Sequence, residues 1–410
     1  MIHITGFPQV AGPLKRESIL IARPPRTLFL TGATGLLGSY VVRDLLLQGR
    51  ELALLVRRDR KRPAAERVEG MVRAWETELG RPLPRPTVLE GDLSRPLCGL
   101  DARAVAWLGD HCDEVLHNAA SLTFRGADRD GEPWRSNVGG TREVLAVAAA
   151  AGLRHFHHVS TAYVCGLRSG TVREDEGDVG QEFGNDYERS KVEAERMVRA
   201  ADHLETATVH RPSIIVGDSR TGFTSTYHGF YAALRLGHTL LTRVLIGSTS
   251  GPAFLALLGV DPAAGKNFVP VDWVSAAIVH VVCTPAARGR TYHLTNPQPV
   301  PLDTVGRVIQ DAIESFSRAA QPDDPDLRDG RWFTETLDTE LDVYRSYLRN
   351  DPLFDRTNTA AVMAHLPCPE FDVPLLMRMA RFAIEHDFGS VRPPRAARAE
   401  PRHVADLTAT

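Results

Sequence analysis

Tyr187 and Lys191 stand four positions apart in the stretch NDYERSKVEAE, inside a run of strong helix formers. That spacing puts a phenol and an ammonium on one face of a helix, at its first turn. A free tyrosine titrates near ~10, too high for ready proton exchange at neutrality. A neighbouring ammonium stabilises the phenolate and lowers that value. Such a pair suits proton delivery to a carbonyl that receives a hydride, which requires a nicotinamide cofactor and a third, hydroxyl-bearing residue. The pair alone is a weak signal, because an exposed Tyr–Lys pair at this spacing often has no function. HVSTAYVCG supplies Ser160 and Thr161 at the end of an apolar strand pattern. The interval from Thr161 to Tyr187 can carry a loop across the C-terminal edge of a sheet, where ligand crevices form.

The cofactor would be held near the N-terminus. TGATGLLG ends one strand pattern and opens a helix, with Gly32, Gly35 and Gly38 spaced three apart. One glycine permits a tight turn, one lets backbone approach a diphosphate, and one permits close helix–strand packing; the helix N-terminus adds N–H groups and a positive dipole end. No Gly-Lys-Ser/Thr follows, which disfavours a nucleoside-triphosphate loop. Roughly 20 residues on, an acid would hold a ribose 2′-hydroxyl and an arginine a 2′-phosphate. LLVRRDR places Arg57 and Arg58 there, which reads as NADPH rather than NADH; the plainer reading is two solvated strand-end arginines. Arg67 is a second phosphate candidate. Asp92, followed by Leu93 in EGDL, can reach the adenine, and Asn118, Ala119 and Ala120 in HNAAS let backbone pass close to the cofactor.

These motifs need a scaffold. Apolar runs at TLFLTG, LALLV, PTVLEGDL, EVLHNAA, FHHVST and ATVHRPSIIVG alternate with helical stretches over the first 215 residues or so. That alternation predicts a parallel sheet covered on both faces, with right-handed crossovers. Beyond Gly217 the rhythm changes. FTSTYHGFYAALRLGHTLL and RVLIGSTSGPAFLALLG read as helix and loop, a short strand pair is expected at NFVPVDWV and TYHLTN, and 301–387 reads as mainly helical. The expected division is an N-terminal extension (1–25), a dinucleotide-binding part (26–216 plus 266–300), a substrate lobe (217–265 plus 301–387) and a disordered Pro- and Arg-rich tail (388–410).

Composition narrows the class. The chain has 410 residues, 43% hydrophobic and 24% charged, enough apolar material for a packed core. A net charge of −3 gives no bulk attraction to nucleic acid. Cys98, Cys112, Cys165, Cys283 and Cys368 are scattered without a C-x-x-C, against a disulfide framework or structural zinc and in keeping with a cytoplasmic protein. No apolar run reaches a membrane span, and the first residues do not read as a signal peptide. HFHH at 155–158 could hold a metal, but successive strand residues face opposite ways, so a structural role is favoured. Cys165 has no obvious partner for acyl transfer.

TGxxGxxG, HNAA, the N-V-x-G-T pattern at 137–141, STAYV and Y-x-x-x-K together resemble an extended short-chain dehydrogenase/reductase. LVRR, STAYV, RPSIIVGDSRTG and NFVPVDWV are similar to its thioester reductase branch, which includes terminal reductase domains of carboxylic acid reductases and peptide synthetases, and fatty acyl-CoA reductases. The resemblance covers roughly residues 26–300. It implies a Rossmann-type, doubly wound α/β fold with a smaller, mainly helical C-terminal substrate lobe. It also implies that Thr161, five residues before Gly166, polarises the substrate carbonyl, that Tyr187 donates the proton, and that Lys191 tunes the tyrosine and holds the ribose. Gly32, Thr34, Gly35, Leu36, Leu37 and Gly38 would line the diphosphate, and Pro212 and Ser213 would border the nicotinamide. The implied activity is NADPH-dependent reduction of an acyl thioester, on coenzyme A or a carrier protein, to aldehyde and on to alcohol. No stretch reads as an adenylation or carrier segment, so such a substrate would arrive from elsewhere. The alternatives are a nucleotide-sugar epimerase or dehydratase, another carbonyl reductase of the superfamily, or a cofactor-sensing scaffold.

Overall fold

Short apolar runs and amphipathic helices succeed one another from Thr27 onward in the computed structural model, which describes residues 27–126, 128–243, 261–317 and 349–389. In chain order these are β1 (Thr27–Thr31), α1 (Leu36–Leu47), β2 (Leu52–Val56), α2 (Ala64–Leu79), β3 (Thr87–Glu90), α3 (Ala102–His111), β4 (Cys112–His117), α4 (Gly140–Ala151), β5 (His155–Val159), β6 (Thr171–Val172), α5 (Asp186–Arg199) and β7 (Thr206–Pro212). There follow β8 (Ile214–Val216), α6 (Phe230–Arg243), β9 (Gly265–Lys266), β10 (Phe268–Pro270), α7 (Val271–Val282), β11 (Thr291–Leu294), β12 (Val300–Pro301), α8 (Leu302–Phe316), β13 (Leu353–Phe354), α9 (Thr357–Met363) and α10 (Val373–Glu385).

Seven strands form one sheet in the order β11-β7-β5-β4-β1-β2-β3, and every pairing in it is parallel. Strands β1 and β2 are buried at every residue, as expected of continuous apolar runs covered on both faces. The period of two assigns the faces. Leu28 and Leu30 point into a core built with α1 and α7 (Val41, Leu45, Trp273, Ile278). Phe29 points the other way, into a core shared with α3 and α4 (Leu108, Val144, Val147). The strand order reverses between β1 and β4, so a crevice is expected at their C-terminal ends.

A third core joins α6, α8 and α10 through Phe230, Leu234, Val305, Ile309, Leu376 and Met379. The expected pairing of NFVPVDWV with TYHLTN does not form. Residues 268–270 pair with β8, residues 271–274 already belong to α7, and 291–294 extend the main sheet beside β7. The Asp272-containing turn follows Pro270, whose fixed φ suits the entry to a helix. The N-terminal extension, residues 244–260, the stretch 318–348 and the tail from 390 onward lie outside the described residues. Among the described residues no helix is long and apolar enough to cross a membrane.

Candidate active site

The three glycines of TGATGLLG do three different things. Gly32 has φ +76°, the left-handed region, and a Cβ there would meet the Ala119 nitrogen at 2.6 Å. A Cβ on Gly38 would stand 2.0 Å from the Gly32 carbonyl oxygen. Gly35, with φ −78°, precedes α1 in an ordinary conformation, and its Cβ would meet only the Gly32 oxygen, at 3.6 Å. Among the described residues nothing demands glycine at 35, and the space in front of it is open. No side chain caps α1 and no acid lies in its first turn, which leaves its positive end for an anion.

Hydrogen bonds lock this turn to β4. Asn118 Nδ2 donates to the Gly32 carbonyl (3.2 Å) and the Ala119 N–H to Thr31 Oγ1 (3.3 Å). Thr31 Oγ1 also meets His117 Nδ1 at 2.7 Å, and His117 Nε2 meets Thr141 Oγ1 at 3.0 Å. Burial, with the Lys191 charge, pushes the His117 pKa down to about 3, so the ring is a neutral link.

At the end of β2, Arg57 lines the cavity in front of the turn. Arg67 lines it too, donating to the Arg57 carbonyl and, at 3.0 Å, to Thr34 Oγ1; it ties the glycine turn to the strand end. Arg58 does not line the cavity; it is exposed, 3.7 Å from Glu90. Asp92 and Leu93 do line it. Burial pushes the Asp92 carboxyl up, but the Ser94 N–H and hydroxyl and the charge of Arg57 bring it below its ordinary range.

The reactive end is set by how α5 starts. Asn185 Oδ1 accepts the Glu188 N–H at 2.9 Å, and the Glu188 carboxylate accepts the Gly184 N–H at 2.9 Å. This reciprocal cap fixes Tyr187 in the first turn. Asn137 Nδ2 anchors the same helix through Ser190 Oγ (2.9 Å). Lys191 is buried and donates to the Val159 carbonyl at 2.7 Å. Tyr187 is hydrogen-bonded to the Thr161 side chain, and Thr161 Oγ1 lies 3.4 Å from the Pro212 carbonyl. Phe124 stands edge-on to Tyr187, ring centroids 5.9 Å apart.

The electrostatics differ from the expectation for this pair. Burial raises the Tyr187 pKa above the ordinary phenol value despite the Thr161 hydrogen bond. Burial lowers Lys191 to about 8, against the charge of Glu195. The ammonium is directed at a carbonyl, so desolvation dominates both groups.

One cavity of about 770 Å³ joins the two ends. Gly32, Thr34, Gly35, Leu36, Leu37, Gly38, Asn118, Ala119, Ala120, Thr161, Tyr187, Lys191, Pro212 and Ser213 all line it. Ser160 Oγ, also in its wall, is buried without a hydrogen-bond partner among the described residues. The glycine cradle, the uncapped helix and this orphan hydroxyl fit a bound dinucleotide. Tyr163, Phe124, Arg135, Thr226 and His228 also line the cavity, and sequence reasoning did not single them out. Tyr163 stood in the quoted STAYV; the others carry no motif. In HFHH, His157 stacks on His210 while His158 packs against His117, on opposite sheet faces. Burial pushes the Cys165 thiol up to about 12, which leaves it protonated.

The model of an NAD-binding family described as "Male sterility protein" matches residues 30–278. The aldehyde reductase lnaA of Aspergillus flavus is 27% identical over 408 residues, covering 87% of this chain and 36% of that protein. The nonribosomal peptide synthetase asaC of the same fungus is 29% identical over 289 residues, covering 66% of this chain and 26% of that one. The chain thus spans well under half the length of these curated relatives. The terminal R domain from the myxalamid PKS-NRPS biosynthetic pathway superposes with a TM-score of 0.69 at 27% identity, covering 90% of this chain and 92% of that one. With more than half its length matched, the chain belongs to the male sterility protein family, in the thioester reductase branch of the extended short-chain dehydrogenases/reductases, a family of NAD(P)H-dependent oxidoreductases.

Proposed function

We propose that the chain is an NADPH-dependent reductase of acyl thioesters, carried on coenzyme A or a carrier protein, and that it releases an aldehyde which it can reduce on to the alcohol. The observation that supports this most is the meeting, in one cavity, of a diphosphate cradle and the Thr161, Tyr187, Lys191 set. The descriptions of its relatives, an aldehyde reductase and a terminal R domain, agree with it. Arg57 at the end of β2, with Arg67 behind it, supports NADPH, because a guanidinium matches a 2′-phosphate. We assign cofactor binding to residues 26–216 plus 266–300 and substrate binding to 217–265 plus 301–387.

When bound, the reduced nicotinamide supplies the hydride. The Thr161 hydroxyl and the Tyr187 phenol face the substrate carbonyl oxygen and stabilise the charge that develops there. Tyr187 keeps its proton at neutral pH, the state an acid needs, and transfers it to that oxygen as the carbon accepts hydride. Lys191 holds the ribose, and its charge eases formation of the phenolate. The resulting hemithioacetal collapses: the hydroxyl proton returns to Tyr187, the carbon–sulfur bond breaks, and the thiolate leaves and is protonated from solvent. The aldehyde then remains for release or for a second reduction.

The test is NADPH oxidation by the purified chain with a panel of acyl-CoA and acyl-pantetheine thioesters, with aldehyde and alcohol products quantified. No turnover across short, long and aminoacyl chains would overturn this reading. Tightly retained NAD⁺ in the purified protein would instead favour an epimerase or dehydratase.

A further inference from the structure

We propose that Asp351 is a positioning residue of this site: it straps the C-terminal segment onto the turn carrying Thr161, through Tyr163, and so shapes the acyl side of the cavity. This rests on the thioester reading for its choice of substrate alone.

Tyr163 belongs to the short helical turn Ala162–Cys165 that directly follows Thr161. Its N–H donates to Thr161 Oγ1 at 3.2 Å, and it lines the cavity. Its phenol leaves the site and donates to Asp351 Oδ2 at 2.8 Å, across 188 residues of sequence. Asp351 is held in turn. Its Oδ1 accepts from Lys266 Nζ at 2.5 Å, its Oδ2 also accepts the Asn267 N–H at 2.7 Å, and its own N–H donates to the Gly265 carbonyl at 3.0 Å. Lys266 and Asp351 are both buried. On one side of this contact Asn350 Oδ1 accepts the Gly265 N–H (2.7 Å). On the other, Leu353 and Phe354 pair in parallel with Thr171 and Val172, and the Phe354 ring stands edge-on to Tyr163 at 6.3 Å.

Two features separate this from filling. First, an apolar side chain would fill the same space without the desolvation cost of a buried ion pair, so the charges gain their value from direction. Second, the strap reaches the reaction centre twice. Through Tyr163 it holds the backbone that caps the Thr161 hydroxyl. Through Asn267, whose Oδ1 accepts from Ser213 Oγ at 2.8 Å, it holds a residue that lines the cavity beside Pro212. The glycine cradle makes no contact with it. Loosening the tie to Tyr163 therefore displaces the carbonyl-binding hydroxyl while leaving the Asn267–Ser213 contact and the glycine cradle in place.

The experiment uses the full chain and the Tyr163→Phe variant, which removes only the tie and leaves the Asp351–Lys266 pair intact. Asp351→Asn is the second variant, with thermal melting alongside because it turns an amide toward Lys266. Steady-state kinetics on a graded acyl-thioester series and fluorescence titration of NADPH give the readout. A misplacement of about 1 Å costs up to about a hundredfold in rate, so Tyr163→Phe is expected to lower kcat/KM about tenfold or more, with an altered preference among chain lengths. Its NADPH affinity is expected within about twofold of wild type, since the cradle is untouched. Unchanged kcat/KM for every chain length, or a loss that merely follows the unfolded fraction, overturns the proposal. If the wild type reduces aldehydes but no thioester, the thioester reading falls separately, and the same comparison on graded aldehydes decides the strap.

Discussion

Gly35 and Gly38 look equivalent in TGATGLLG, yet the space around them separates a ligand requirement from a packing requirement. A Cβ on Gly38 would lie 2.0 Å from the Gly32 oxygen and 2.8 Å from its carbonyl carbon, backbone atoms with nowhere to swing. A carbon–oxygen contact needs roughly 3.3 Å, so Gly38→Ala must push the start of α1 back by about 1.3 Å. Overpacking of this kind costs about 1–3 kcal/mol. Gly35→Ala meets only one atom, at 3.6 Å. There the loss of unfolded-state freedom contributes about 0.4–1 kcal/mol, and replacing glycine at an N-cap costs a similar few tenths or more; the two nearly cancel. The new methyl, however, stands where a diphosphate would approach the α1 N–H groups. Losing one hydrogen bond to a charged group costs about 1.5–3 kcal/mol, equivalent to about ten- to a hundredfold in NADPH affinity. Melting and nicotinamide fluorescence titration on the same samples check both halves: Gly35→Ala keeps its Tm and loses the cofactor, while Gly38→Ala loses stability. Wild-type NADPH affinity in a fully folded Gly35→Ala protein would refute the placement of the diphosphate.

Tyr187→Phe is expected to lower kcat/KM by about 10²–10⁴-fold, the usual worth of a positioned acid, with NADPH affinity intact; activity within about threefold of wild type removes Tyr187 from the chemistry. Arg57→Glu is expected to lower the NADPH-over-NADH preference about tenfold or more, read from kcat/KM with each cofactor, and an unchanged ratio rules Arg57 out as the discriminating contact. Lys191, at about 8 on the protein's own charges, gains acceptors from the ribose, so NADPH affinity is expected to fall as pH rises through that value; Lys191→Met should flatten the profile. His117 and His210 are buried neutral with pKa about 3 against an ordinary 6.5. Their depressed values contribute stability that is present above 6.5 and lost as pH falls toward 3, on the order of 3 kcal/mol per pH unit for the two. Glu188, raised to about 7 by burial, works oppositely between 7 and its ordinary 4.5 and offsets about half of that slope there. Urea unfolding from about pH 7 to about pH 4 should show the loss steepen below 4.5, and a flat profile would contradict the neutral histidines.

Local patterning made much of this readable. The strand–glycine turn–helix unit is legible within residues 27–47, because β1 is a continuous apolar run and Gly38 answers a contact with Gly32 a few positions away, although Gly32 itself answers Ala119, past the end of β4 and far off in sequence. Tyr187 and Lys191 were readable because one helical turn brings them together, and Asn185 with Glu188 marks where that helix begins. What escaped was non-local. NFVPVDWV carries β-branched residues and looks like strand throughout, but β8 offers only three residues to pair with, and α7 takes the rest. Tyr163 and Asp351 have no signal linking them across 188 residues. The direction of the Tyr187 shift was missed for a similar reason: spacing reports that a lysine is near, whereas burial by Phe124 and the strand ends belongs to the tertiary structure.

That shift has a mechanistic consequence. Desolvation drives Tyr187 upward and Lys191 downward. At about 8, Lys191 is largely an ammonium at neutral pH but loses its charge under mildly alkaline conditions, and a neutral lysine cannot help a phenolate form. Lys191 donates to the Val159 carbonyl, and the Glu195 carboxylate that favours its charge is already engaged by the buried Arg211 and by Arg199. Further acceptors from a ribose, together with a diphosphate at α1, favour the ammonium and extend its charge to higher pH. Above about 8, help for release of the Tyr187 proton therefore depends on the dinucleotide being in place. Burial of Lys191 is what ties that help to the presence of the hydride source.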